Sequence, residues 1–203
     1  DYCDKTRGPS GDGPCFLGNI SRLVTSAEPF YYDEYVKDPA KLRAMLLQKA
    51  QDYCPDLVFY VSYTDQLDAP TLARLNEKAK TCAWFGDDTW RFDSYSSKLA
   101  PHFTHVLTTD PFSVQKYRAL GVEPILTQWA AQPHLPVPAE PPLPGNFRYD
   151  VSFVGGYNPV RAWFLKQLAG QGINVACFGS GWPAGMVSFE EMSRTYLESR
   201  VNL

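Results

Sequence analysis

The stretch Tyr149 to Arg161, YDVSFVGGYNPVR, decides the reading of this chain. Asp150 to Val154 has the length and apolar content of a short buried strand, and Gly155 with Gly156 lets the backbone turn tightly behind it. Asn158 and Pro159 then cap and open a helix, whose residues Val160, Trp163, Phe164 and Leu168 are expected on its packed side. A strand, a glycine turn and a helix N-terminus form a natural anion site, because unpaired amides and the helix dipole converge there. The run before it, Gln132 to Phe147, holds six prolines in sixteen residues, which excludes a helix or a central strand and predicts a semi-rigid extended connector.

Upstream, short apolar runs alternate with helical patterns, the rhythm of parallel sheets covered by helices on both faces. Strands are expected at Phe30 to Tyr32, Asp56 to Val61, Thr81 to Phe85, Phe103 to Thr108 and Pro124 to Thr127. Asp38-Pro39, Asp68 with Pro70, and Asp110-Pro111 open helices, and Gly121 closes the last of these. A further strand is expected at Asn174 to Phe178, followed by a Ser188/Glu191 capping box and the start of another strand at Val201. The fold class is therefore α/β with two doubly wound parallel-sheet domains: 1–131, a proline-rich linker 132–147, and the start of a second domain at 148–203. A polar opening where a buried first strand is usual, and an ending at the onset of a strand, suggest that the first strand and most of the second domain lie outside this sequence.

Composition narrows the function. A net charge of −3 with interspersed signs gives no basic face for nucleic acid. No apolar stretch approaches the length of a membrane span, and the opening DYCDKTRGPS has neither the charged lead nor the apolar core of an export signal. Five cysteines, odd in number and without a CxxC pair, argue against a disulfide framework and for a reducing, cytoplasmic setting; Cys54, Cys82 and Cys177 read as small core residues.

Three loops lie where open α/β sheets take ligands, after strand carboxyl ends. Gly155-Gly156-Tyr157 with Arg161 one turn on fits a phosphate, or else a tight turn with a surface arginine. Gly179-Ser180-Gly181-Trp182 permits close backbone approach of a ligand and offers a flat indole, or else is a turn with a core tryptophan. Asp87-Asp88, between Trp84 and Trp90 and followed by Arg91, can bind hydroxyls, act as a general base or join a divalent cation site; the structural alternative is a carboxylate cap neutralised by Arg91. His102, His105 and His134 show no metal-ligand spacing.

The motifs WFGDDTWRFDSYS, VLTTDPFSVQKYRALG, YDVSFVGGYNPVRAWFLKQL, FGSGW and SFEEMSRTYLESRVNL, in this order from about Pro55 to Leu203, resemble the CgeB-like glycosyltransferases, a group named after a spore-maturation protein. The pattern departs from the family at Gly11-Asp12-Gly13, where an aromatic and acidic stretch is expected. The resemblance implies a GT-B arrangement of two Rossmann-like domains and sugar transfer from a nucleotide-sugar donor to an acceptor (glycan, protein or small molecule), with no bound metal or other cofactor. It places Gly155, Gly156 and Arg161 near the donor diphosphate, Gly179 and Gly181 near the nucleotide, and Asp87 or Asp88 as the acceptor-orienting group or base. The alternatives are a non-catalytic two-domain binder of a phosphorylated ligand, an Asp87-Asp88 metal site, or an inactive fragment.

Overall fold

The computed structural model describes residues 13–130 and 145–203. The opening DYCDKTRGPS and most of the connector assigned to 132–147 lie outside the described residues. Those described fall into two compact units, 16–130 and 145–203, with 13–15 grouped with the latter. The protein is mixed α/β, with one four-stranded and one three-stranded sheet, both parallel.

The first unit runs through a helical turn α1 (Gly18–Ile20), α2 (Pro39–Tyr53), β1 (Leu57–Val61), α3 (Ala69–Asn76), β2 (Lys80–Phe85), α4 (Asp88–Arg91), α5 (Ser97–Leu99), β3 (His105–Thr108), α6 (Ser113–Ala119) and β4 (Ile125–Leu126). Helix starts follow local chemistry. Asp38 accepts the amide of Lys41 at 3.0 Å with Pro39 in the first turn, and Asp68 does the same for Thr71 at 3.0 Å. The left-handed Gly121 (φ 75°) follows α6.

Strand order is β1-β2-β3-β4. Every crossover steps in the same direction, so right-handed connections place the helices on one face. The register agrees: Tyr60 stands beside Ala83 and Ala83 beside Val106, and these residues share one core with Leu72, Leu75, Phe85, Phe92, Phe103 and Tyr117. Among the described residues the opposite face is covered by rings instead of a crossover helix. Phe16 lies 4.9 Å from Trp84 and 6.1 Å from Phe59, and Trp129 lies 4.4 Å from Trp84. The Phe16 ring comes from the helical stretch Gly13–Leu17 that runs into α1, and β1 buries only Tyr60.

Phe30 to Tyr32 forms no strand. The chain there bends into a 3-10 turn, Tyr32–Glu34, with Phe30 stacked on Tyr35 at 5.8 Å and Tyr32 on Tyr63 at 6.1 Å; local ring packing overrides the strand propensity of FYY. Cys54 is no core residue either. It is exposed, the one non-glycine residue at positive φ (51°) among those described, and its thiol donates to the Gln51 carbonyl at 3.1 Å. Cys82 is buried, and burial pushes its thiol up to about 11; Cys177, half-buried, is raised in the same direction by the same cause. Iodoacetamide is therefore expected to modify exposed Cys54 well before buried Cys82, as read by peptide mass mapping; comparable rates would contradict this burial.

The second unit comprises β5 (Tyr149–Val154), α7 (Pro159–Gly170), β6 (Val175–Phe178), α8 (Phe189–Leu197) and β7 (Ser199–Asn202). Asn158 accepts the Val160 amide at 2.9 Å, and Ser188 with Glu191 makes the full reciprocal capping box. Here the order is β6-β5-β7. The second crossover reverses the direction of the first, so α7 and α8 belong on opposite faces and a topological switch point falls between β5 and β7. The buried side chain of α7 is Leu165, while Val160, Trp163 and Phe164 are exposed, which corrects the helix face read from the sequence.

Candidate functional site

The glycine loops after β5 and β6 are knitted into one structure. The Gly155 amide donates to the Phe178 carbonyl at 2.9 Å, and the Tyr157 amide to the Ser180 carbonyl at 2.8 Å. The Trp182 indole N–H donates to the Gly155 carbonyl at 2.9 Å, and its ring lies 5.1 Å from Tyr157 and 5.9 Å from Phe153. Gly179 (φ 122°) and Gly181 (φ 83°) need their glycines for this approach. A Cβ on Gly179 would fall 2.3 Å from the Gly155 carbonyl oxygen, and one on Gly181 would fall 2.7 Å from the Tyr157 Cβ. The space beside these two glycines is thus taken by the neighbouring loop.

This packing fixes the direction of the peptide that follows. A trans peptide points its C=O and N–H to opposite sides. With the Gly155 carbonyl turned to Trp182, the Gly156 N–H faces away from the β6 loop. Nothing lies within 4 Å of where a Gly156 Cβ would be. The Gly156 carbonyl accepts from Arg161 Nη1 at 3.2 Å, and the guanidinium sits 5.3 Å over the Phe153 ring. Among the described residues no carboxylate forms an ion pair with Arg161. An open glycine, an exposed guanidinium and the capped N-terminus of a twelve-residue helix therefore meet after β5, the strand that borders the β5/β7 switch point. Such a setting attracts phosphate oxygens, because amide dipoles and a fixed cation act together.

Asp87 and Asp88 belong to the first unit, after β2, and turn in opposite directions. Asp87 is exposed. Asp88 is 2% exposed, and its Oδ2 accepts from Thr108 Oγ1 at 2.5 Å and from the Tyr117 hydroxyl at 2.7 Å. Among the described residues its Oδ1 has no partner. Burial first, then the neighbouring Asp88 carboxylate, pushes the Tyr117 hydroxyl far above its ordinary value, so it remains a donor. The network continues through Thr108, whose hydroxyl accepts from the Asp110 amide at 3.2 Å, and through Asp110, which accepts from Ser113 Oγ at 2.6 Å and the Phe112 amide at 3.1 Å. Asp88 thus anchors the turn after β2 to β3 and α6, and Asp87 is the carboxylate left at the surface.

The carboxylate cap that stood as the structural alternative for this pair is not made by a side chain. Asp87 supplies only its backbone carbonyl, to Trp90 and Arg91, and Arg91 lies 4.3 Å over the Tyr95 ring with no carboxylate in ion-pair range among the described residues. Gly86 lacks a side chain for a steric reason: a Cβ would meet the Trp84 ring at 2.6 Å and the Trp129 ring at 2.8 Å. Sequence reasoning missed Tyr117 and Thr108 as partners of Asp88, and Ser113 as the partner of Asp110 in the same network; the signal available was the density of hydroxyls and carboxylates in TTDPFS, read there only as a helix start.

Among the described residues no group of three or more His, Cys, Asp or Glu side chains is placed to hold a metal ion, and no helix is long and apolar enough to cross a membrane. No protein-family model matches the chain, and no curated protein matches it in sequence.

Proposed function

We propose that the chain is a glycosyltransferase of GT-B type, moving a sugar from a nucleotide-sugar donor to an acceptor, with the donor on the second unit and the acceptor on the first. The observation that carries this reading is the turn after β5, where an open Gly156 faces outward beside an Arg161 that no described carboxylate neutralises. Breaking the bond to a diphosphate leaves negative charge on it. Amide dipoles and a guanidinium aimed at that position lower the barrier, and no cation is required where they suffice. In this reading Gly155 and Gly156 line the diphosphate and Arg161 adds a charged donor. Gly179 and Gly181 act by holding that turn in place next to the nucleotide, and Asp87 orients or deprotonates the acceptor hydroxyl.

The test is binding of a panel of UDP- and GDP-sugars, read as thermal stabilisation and by calorimetry. A ligand at a hundred times its Kd raises stability by about 2.7 kcal/mol. Gly156→Ala adds a methyl to open space at a position without positive φ, so the free protein is expected to hold its stability or gain about 0.4–1 kcal/mol. Donor binding is expected to fall at least tenfold in Gly156→Ala, and Arg161→Ala should weaken turnover far more than folding. Wild-type binding in both variants would remove the turn from the site. The second reading is a non-catalytic binder of a phosphorylated ligand, which needs the same turn after β5 and no carboxylate base. Stabilisation by plain nucleotide equal to that by any nucleotide sugar would support that reading.

A further inference from the structure

Phe153, half-buried on β5, puts its ring against three parts of the anion turn at once. Trp182 braces the ring at 5.9 Å, with the two planes inclined at 64°. That indole is itself tied to the Gly155 carbonyl at 2.9 Å. A Cβ on Gly155 would fall 2.9 Å from the Phe153 Cζ, so the ring lies against the turn and the glycine leaves room for it. The same ring carries the Arg161 guanidinium, 5.3 Å from its centroid.

How an arginine is held decides how much of its charge is left for a ligand. Arg43, Arg118, Arg148 and Arg194 are each held by a carboxylate, at distances between 2.6 and 3.5 Å. Such a partner fixes the side chain and neutralises it at the same time. Arg161 is held by two neutral groups, the Gly156 carbonyl at 3.2 Å and the Phe153 ring, and among the described residues no carboxylate meets it. The carbonyl takes one of the five N–H donors of a guanidinium, and a ring attracts a cation through its quadrupole without cancelling the charge. Arg161 is thus restrained while its charge stays open to an anion. An arginine without that restraint would have to be ordered as the anion arrives, which weakens binding.

We propose that Phe153 is a positioning residue for the anion turn: its ring holds the Arg161 guanidinium beside Gly156 with the charge unmet. Phe153 touches no ligand and acts through Arg161. The proposal rests on the reading of this turn as a diphosphate site, and is independent of whether a sugar is transferred there.

The test titrates inorganic pyrophosphate into the full chain, isotopically labelled, and follows the Gly156 amide and the Arg161 side chain by NMR. In the wild type the ring current of Phe153 is expected to displace the Arg161 side-chain protons from the values of an arginine away from any ring. Phe153→Leu keeps an apolar body on β5 but removes the ring. It is expected to return those protons to ordinary values and to weaken pyrophosphate binding on the order of fivefold, the effect of leaving one long side chain to be ordered. Phe153→Tyr keeps the ring and is expected to keep both the displacement and the affinity. In an Arg161→Ala background Phe153→Leu is expected to cost no further affinity, whereas a ring that merely supported the turn would cost the same in either background. Unchanged affinity in folded Phe153→Leu, an equal loss with and without Arg161, or undisplaced Arg161 protons in the wild type would overturn the proposal and leave the diphosphate reading standing. The last of these measurements needs no variant to fold. A wild-type Gly156 amide that pyrophosphate does not shift would overturn the diphosphate reading, and the proposal with it.

Discussion

Tyr117→Ala is expected to lower the stability of the chain by about 3–5 kcal/mol, the range for deleting a buried aromatic ring, and to drop the melting temperature by roughly ten degrees or more. The ring is fully buried, stacked at 6.4 Å on Phe85 and edge-on at 4.8 Å to Phe92, so its loss leaves a cavity beneath the first sheet. Its hydroxyl contributes separately. Tyr117→Phe keeps the ring but leaves Thr108 as the one donor to Asp88 Oδ2 among the described residues, and is expected to cost about 1–3 kcal/mol. The two variants therefore divide packing from hydrogen bonding. Combining Tyr117→Phe with Asp88→Asn in a double-mutant cycle should reveal a coupling of about 0.5–3 kcal/mol, because the two groups share one contact in a water-poor environment. Urea denaturation read by tryptophan fluorescence gives all four values. A Tyr117→Ala variant within about 1 kcal/mol of wild type would show that the ring is not packed as described, and a vanishing coupling that the buried carboxylate does not depend on this hydroxyl.

What was legible in the sequence was the chemistry completed within a few residues. Asp38, Asp68, Asn158 and the Ser188/Glu191 pair cap helices as read, since each side chain reaches an amide only two or three positions away. Strand order was not legible. Whether β7 adds beside β5 or beyond β6 depends on pairing across some fifty positions, between Tyr149 and Ser199. The inward turn of Asp88 was hidden for the same reason: its partners, Thr108 and Tyr117, lie 20 and 29 positions downstream. Helical periodicity alone offered more than one apolar stripe on α7. The stripe with Val160 and Trp163 carries the larger side chains, but the sheet takes Leu165.

The second large effect is expected from Gly179→Ala. The sequence allows a glycine that admits a ligand or one that serves a tight turn; the structure shows one that admits the Gly155 backbone, and the two roles predict different phenotypes. At φ 122° an alanine is strained by about 1–3 kcal/mol wherever it stands, and its Cβ would fall 2.3 Å from a carbonyl oxygen that Trp182 also holds. Backbone on both sides of that contact cannot swing aside like the end of a flexible side chain, so the loops after β5 and β6 must separate. Separation breaks the Gly155–Phe178 and Tyr157–Ser180 bonds and frees the peptide whose orientation sets Gly156 outward. The expected result is a loss of several kcal/mol confined to residues 145–203, with amide exchange quickened there and unchanged at Tyr60, Ala83 and Val106 in the other sheet. Donor affinity, if the glycosyltransferase reading holds, should fall with it although no ligand contact was removed. Gly156→Ala supplies the contrast: the same added methyl, one position beyond Gly155 but in open space, leaves exchange as it was. A Gly179→Ala protein with wild-type exchange throughout 145–203 would mean that the loops are not locked together, and that the outward turn of Gly156 must be held by something other than this contact.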